Sequence, residues 1–134
     1  MMVSLQQDNY ARSYLRKAEE YFASAEENYL AERYTVAAGD AIHAGICAKD
    51  AIVTALTGST AKRKDHAVAG KELRQALGRR QDAAGAEKAL RELISHKGDV
   101  EYGVALMSAA KTEPLVRRAR SLVALAVRIV RLGE

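Results

Sequence analysis

The stretch that decides the fold reads YTVAAGDAIHAGICAKDAIVTAL and covers residues 34–56. Apolar side chains occupy most of its positions, so a helix formed by this stretch is apolar nearly all round. A helix with so little polar surface belongs at the centre of a bundle, because only other helices can cover it on all sides. The stretch therefore predicts a buried central helix within an all-α fold.

The composition of the whole chain agrees with this interpretation. The chain has 134 residues, of which 49% are hydrophobic and only 5% aromatic, and its single proline is Pro114. Residues such as Ala, Leu, Glu, Lys and Arg lose little side-chain freedom in a helix. A chain of this length removes about two thirds of its unfolded surface from water without help. We therefore expect one domain over residues 1–134, with residues 1–8 as a flexible N-terminal segment.

Working outward from residues 34–56, the apolar spacing predicts a four- to five-helix antiparallel bundle. The first helix spans residues 8–32 and begins at Asp8 as its N-cap, and Gly58 ends the central helix. A third helix spans residues 65–77, buries Val68 and ends at Gly78, after a loop with a basic run at 62–64. The fourth begins at about Asp82 and ends or bends at Gly98, where glycine permits the left-handed conformation. Thr112 caps the last helix, with Pro114 in its first turn.

Charge and motifs exclude several classes of function. The net charge of +4 permits contact with RNA without requiring it. The lone Cys47 lies in an apolar run, which is typical of a buried cysteine. The chain contains no phosphate-binding loop, no dinucleotide fingerprint and no zinc-ligand spacing, so no cofactor and no metal are predicted. No uncharged run approaches about 18 residues, so we expect a cytoplasmic protein without a membrane span.

A line of polar residues on the central helix has two interpretations. Asp40, His43, Cys47, Asp50 and Thr54 recur at steps of three and four. The line either presents His43 between two carboxylates as a metal or acid–base site, or it is a narrow stripe that faces solvent or an interface.

The side chains best suited to catalysis or binding lie in the stretch ALRELISHKGDVEYG, residues 89–103. Arg91 is followed by Glu92 and, five residues on, by His96. A guanidinium can bind a phosphate through two parallel N–H donors, and an imidazole can transfer protons near neutral pH.

The chain resembles the HEPN superfamily of small helical bundles over residues 10–130. The resemblance rests on AEEYFASAEENYLAERYTVAAGDAIHAGICAKDAIV, residues 18–53, on His66 after the linker, and on EYG before the last helix. It implies a homodimer, without cofactor, in a toxin–antitoxin or defence setting. It also implies a metal-independent endoribonuclease that uses Arg91 and His96, with Glu92 beside them, in a cleft between two copies.

A second alignment within the same superfamily implies a different role. HEPN-like proteins without the nuclease motif have a leucine-rich turn, a basic residue, then an acid and a tyrosine, which here are Leu93, Lys97, Glu101 and Tyr102. In this alignment Lys97 pairs with Glu101 across one helical turn, and Tyr102 anchors the core. The chain would then be a non-catalytic module that binds a protein or RNA. The sequence does not decide between the endoribonuclease and the non-catalytic binding module.

The two most apolar helices lead to the same expectation of a dimer. The central helix and the last helix have more apolar surface than four short helices are expected to cover. Pairing of two identical copies is the usual solution to such an excess. We therefore expect a homodimer on this ground as well.

Overall fold

A computed structural model describes residues 4–59 and 66–134, and all regular structure in these ranges is helical. The elements are α1 (Leu5–Leu30), α2 (Tyr34–Thr57), α3 (Ala69–Leu77), α4 (Ala83–Ser95), α5 (Lys97–Tyr102) and α6 (Ala109–Ala126), which continues into a π-helical turn (Val127–Arg131). The helices pack into one bundle. This confirms the predicted all-α bundle. The basic run at 62–64 lies outside the described residues.

The helix α2 is the centre of the bundle, as its sequence predicts. It contacts α1, α3, α4, α5 and α6, and half of its residues are buried. Small residues bring these helices close to α2. A Cβ added to Gly45 would lie 2.5 Å from Cδ1 of Leu93 on α4, so any larger residue requires the Leu93 side chain to shift.

The excess apolar surface expected on α2 and α6 is largely covered within one chain. The only large apolar residues of α2 that remain exposed are Val36 and Leu56, and α6, which is described throughout, exposes none. The prediction of a homodimer therefore cannot rest on these two helices.

Helix starts differ from the predictions at both ends of the chain. Ser4, rather than Asp8, caps α1, because its hydroxyl accepts from the Gln7 amide while the Gln7 side chain accepts from the Ser4 amide. Residues 5–8, expected in a flexible segment, form the first turn of α1. Ser108, rather than Thr112, caps α6. Pro114 consequently lies inside α6 and not in its first turn.

The break between α4 and α5 also differs from the prediction. It falls at His96, which ends α4 and precedes α5, whereas Gly98 lies within α5 without a positive φ. Gly58 and Gly78 end α2 and α3 as predicted, with φ of 92° and 62°. The third helix begins at Ala69, and Val68, predicted to be buried, is exposed.

Across residues 4–59 and 66–134, each helix falls short of the length and apolar character that a membrane span requires.

Candidate interaction surface

The short helix α5 carries most of the residues singled out by the second alignment. It has six residues, and a helix of this length does not persist on its own in water. Its position therefore depends on contacts with the rest of the bundle. Val100 is partly buried and packs against the core beside Gly39 of α2.

A polar cluster joins α5 to α2. The Nζ of Lys97 lies 2.6 Å from one carboxylate oxygen of Glu101, which confirms the predicted pair across one turn. The other oxygen lies 3.3 Å from Nε2 of His43. The hydrogen bond from Lys97, with a further contribution from His43, holds the pKa of Glu101 below its ordinary range. The Tyr21 ring of α1 stacks on His43, with centroids 5.2 Å apart, and fixes the imidazole plane.

An apolar run follows directly on this cluster. It consists of Tyr102, Val104 and Leu106, whose exposed fractions are 82%, 101% and 85%. The prediction that Tyr102 anchors the core is therefore wrong. Its ring points into solvent at the end of α5, where the chain continues without regular structure to Ser108.

The apolar run is tied to the start of α2. The Met107 amide donates to the Thr35 hydroxyl at 2.9 Å, so the end of the run lies beside the first turn of α2. Val36, the residue after Thr35, is 52% exposed. Thr112, which was predicted to be a cap, is fully buried and donates from its hydroxyl to the Tyr34 carbonyl at 3.3 Å. The Met107 bond thus holds the end of residues 103–108 against α2, and the Thr112 bond ties α6 to the same end of α2.

The nuclease motif residues lie in separate environments. Arg91 donates from Nε and Nη2 to one carboxylate oxygen of Glu87, at 3.1 and 2.9 Å. Its side chain lies over Gly70 of α3, where an added Cβ would come within 2.9 Å of the Arg91 Cγ. His96 lies at the junction of α4 and α5, and no hydrogen bond or ion pair joins it to Arg91 in the described ranges.

Glu92 contacts a third part of the bundle. It accepts from Nε of Arg118 on α6 at 2.6 Å. This ion pair spans a groove of about 430 Å³ between α4 and α6. Arg91 and Glu92 line one surface pocket on α4, but His96 does not line it, so the three residues are not brought together within one copy of the chain.

The residues of the polar line on α2 have different partners. Asp40 accepts from Ser24 and Asn28 of α1 at 2.6 and 3.1 Å, His43 contacts α5, and Asp50 contacts Lys49. Burial, with a smaller effect of Asp50, raises the pKa of the Cys47 thiol. Thr54 is buried, and its hydroxyl has no hydrogen-bond partner in the described part of the chain. Within that part, no three His, Cys, Asp or Glu side chains are placed to hold a metal ion.

Sequence reasoning missed Lys49. Its side chain is only 7% exposed, and its Nζ lies 2.8 Å from Asp50 and 2.5 Å from Glu72 of α3. Burial by itself lowers the pKa of Lys49, but the hydrogen bonds to Asp50 and Glu72 outweigh it, so the pKa is raised. A lysine in an otherwise apolar helix was the available signal, because a buried ammonium requires a carboxylate.

No protein-family model, curated protein or solved structure matches this chain. The class that its fold and surface define is a small all-α bundle with an exposed apolar run beside a charged cluster.

Proposed function

We propose that the chain is a non-catalytic, HEPN-like protein-binding module that acts as a homodimer. One observation carries the proposal. The three large apolar side chains of the apolar run are almost fully exposed within five residues, immediately after a helix that is tied to α2. A concentrated apolar patch of this kind on a small bundle is characteristic of an interaction site.

Charge distribution favours a protein over RNA as the partner. Ten of the twelve arginines in the described ranges lie within 4.0 Å of a carboxylate. A nucleic-acid surface usually presents a stripe of cations whose charge is available to phosphates. Here most of that charge is balanced by neighbours on the same chain.

A second copy of the chain is a suitable partner for the apolar run, because two uncharged runs can pack together. The run itself is uncharged, and Lys97 and Glu101 on the preceding helix are paired with each other. Two copies can therefore meet without leaving a charge unpaired. Burying three such side chains removes on the order of 300–400 Å² per copy from water. This is below a standard interface, so we expect a weak dimer.

The test is sedimentation velocity of the wild type and of a Val104→Ser, Leu106→Ser variant, from about 1 to about 100 µM. We expect a concentration-dependent dimer in the wild type and a monomer in the variant. The matched control is Leu5→Ser, Leu132→Ser, which removes two exposed leucines from elsewhere on the surface. A wild type that stays monomeric would contradict the proposed homodimer.

The alternative is the metal-independent endoribonuclease predicted from Arg91 and His96. In the described structure the Arg91 guanidinium is already bound by Glu87, so it must exchange that partner for a phosphate. We expect no cleavage of a structured RNA in excess chelator by the wild type, Arg91→Ala or His96→Ala. Cleavage that resists the chelator and is lost in both variants would establish the nuclease instead. The toxin–antitoxin setting and the cytoplasmic location stay predictions.

A further inference from the structure

We propose that His43 is a pH-sensitive clasp, whose protonated imidazole holds Glu101 and thereby fixes α5 and the apolar run on α2. The inference rests on the proposed function only in taking the apolar run to be the binding surface. It concerns how that surface is held in place, which can be measured on the chain by itself.

The role of His43 is inferred from how few contacts join α5 to α2. In residues 4–59 and 66–134, the contact of His43 with Glu101 is the one polar contact between α2 and α5. Val100, which packs beside Gly39, is the residue of α5 that packs against the apolar core. Since a six-residue helix is unstable alone, a change at His43 changes how often α5 detaches.

The charge on Glu101 is constant over the range in which a histidine titrates. Lys97 and then His43 hold the pKa of Glu101 below its ordinary range, so it is a carboxylate throughout near-neutral pH. An unperturbed imidazole titrates at about pH 6.5. A charge-assisted hydrogen bond is about twice as strong as a neutral one. The contact is therefore stronger when the imidazole is protonated than when it is neutral.

The other titratable and charged groups around His43 come from each neighbouring element. Tyr21 on α1 stacks on His43 and lines one pocket with Lys17, Glu20 and Asp40. Glu101 on α5 contacts both His43 and Lys97, and Cys47 lies one turn further along α2. His66, in the turn before α3, interacts with Lys97, Lys49, Asp50 and Glu101. His66 is the one of these that could imitate His43. Burial, followed by Lys97 and Lys49, lowers the pKa of His66, so it remains neutral to lower pH.

The chain offers a complete set of controls, because His43, His66 and His96 are its only histidines. The experiment is amide hydrogen exchange of residues 97–103, corrected for intrinsic exchange, at about pH 5.5 and about pH 8. The wild type is compared with His43→Gln, His66→Gln and His96→Gln. Glu101→Gln removes the negative charge but keeps an acceptor oxygen, and is a second test of the same contact.

In the wild type, we expect the protection of the α5 amides against hydrogen exchange to fall about two- to threefold from the lower to the higher pH. A change of this size corresponds to the loss of a partly exposed ion pair. The fall should be absent in His43→Gln and Glu101→Gln and retained in His66→Gln and His96→Gln. Protection that does not change in the wild type, or a fall that persists in His43→Gln, would overturn the clasp.

The two proposals fail separately. A pH-independent α5 in a chain that dimerises through the apolar run refutes the clasp alone. A monomeric chain whose α5 protection follows His43 refutes the homodimer alone.

Discussion

Two lysines in this protein bind carboxylates in very different surroundings. Lys49 lies on α2 between Asp50 and Glu72, with 7% of its side chain exposed. Lys97 lies on α5 and binds Glu101, with 22% of its side chain exposed and a histidine on the other side of the carboxylate. The same pair of chemical groups therefore occurs once in the core and once near the surface.

The difference teaches how burial divides the roles of similar ion pairs. A buried ammonium that loses its carboxylates becomes very unfavourable, so the Lys49 cluster fixes α3 to α2 and must be kept intact. A partly hydrated pair contributes little and can exchange partners. The Lys97 cluster is consequently the one that can respond to pH or to another protein.

Replacing the buried lysine should produce the largest effect. Lys49→Met deprives Asp50 and Glu72 of the ammonium, and we expect a loss of about 2–3 kcal/mol in the free energy of unfolding. This is less than for a fully buried pair, because both carboxylates keep about a fifth of their side chains in water. Urea denaturation measures the loss, with Lys97→Met as the matched control. Equal losses in the two variants would remove the contrast between the clusters.

The double variant Lys49→Met, Glu72→Leu sharpens the same comparison. Replacing a buried ion pair by apolar residues of similar size is often neutral. Since Asp50 still loses the Lys49 ammonium, we expect the double variant to be more stable than Lys49→Met but less stable than the wild type. The measurement is the same denaturation series. A double variant less stable than Lys49→Met would mean that the ion pair has a role beyond neutralising a buried charge.

Alkaline pH should weaken the buried cluster selectively. The pKa of Lys49 is raised above 10.5 in the folded chain, so its stabilisation is complete below the unfolded pKa and is lost as pH rises through the folded pKa. Between about pH 9 and about pH 11 we expect stability to fall more in the wild type than in Lys49→Met. Parallel pH profiles for the two proteins would contradict this.

Removing the surface lysine should have the smallest effect. Lys97→Met should cost only about 0.3–0.5 kcal/mol, and the cost should shrink in high salt. Glu101 makes stability depend on pH in the opposite direction to Lys49. Because the pKa of Glu101 is lowered, its stabilisation is present above the unfolded pKa and is lost as pH falls through the folded pKa. A loss as large as that of Lys49→Met would show that the pair is structural.

The bundle itself was largely predictable from local patterns. Apolar spacing located the long helices within a few residues, and Gly58 and Gly78 ended helices where a left-handed residue was required. The helix starts were less predictable because several residues can act as an N-cap. Ser4 precedes Asp8 and forms a reciprocal capping box that the spacing of apolar residues does not reveal.

The candidate site was less predictable, because it depends on which helices meet. The spacing of Lys97 and Glu101 predicted their pair correctly. The contact of Glu101 with His43, 58 positions earlier in the chain, could not be inferred from spacing. Arg91 and His96 are five residues apart, which on a helix is a rotation of about 140°, and the break at His96 does not bring them together.

The sequence by itself determined the helical class and the central place of α2, because an apolar helix can be satisfied only by other helices. It also determined the pair on α5, since residues four apart are neighbours on a helix. Only the tertiary structure decided that Lys49 is buried, that Tyr102 points into solvent, and that α5 meets His43. These depend on contacts between distant segments, whose geometry is set by the packing of the whole bundle.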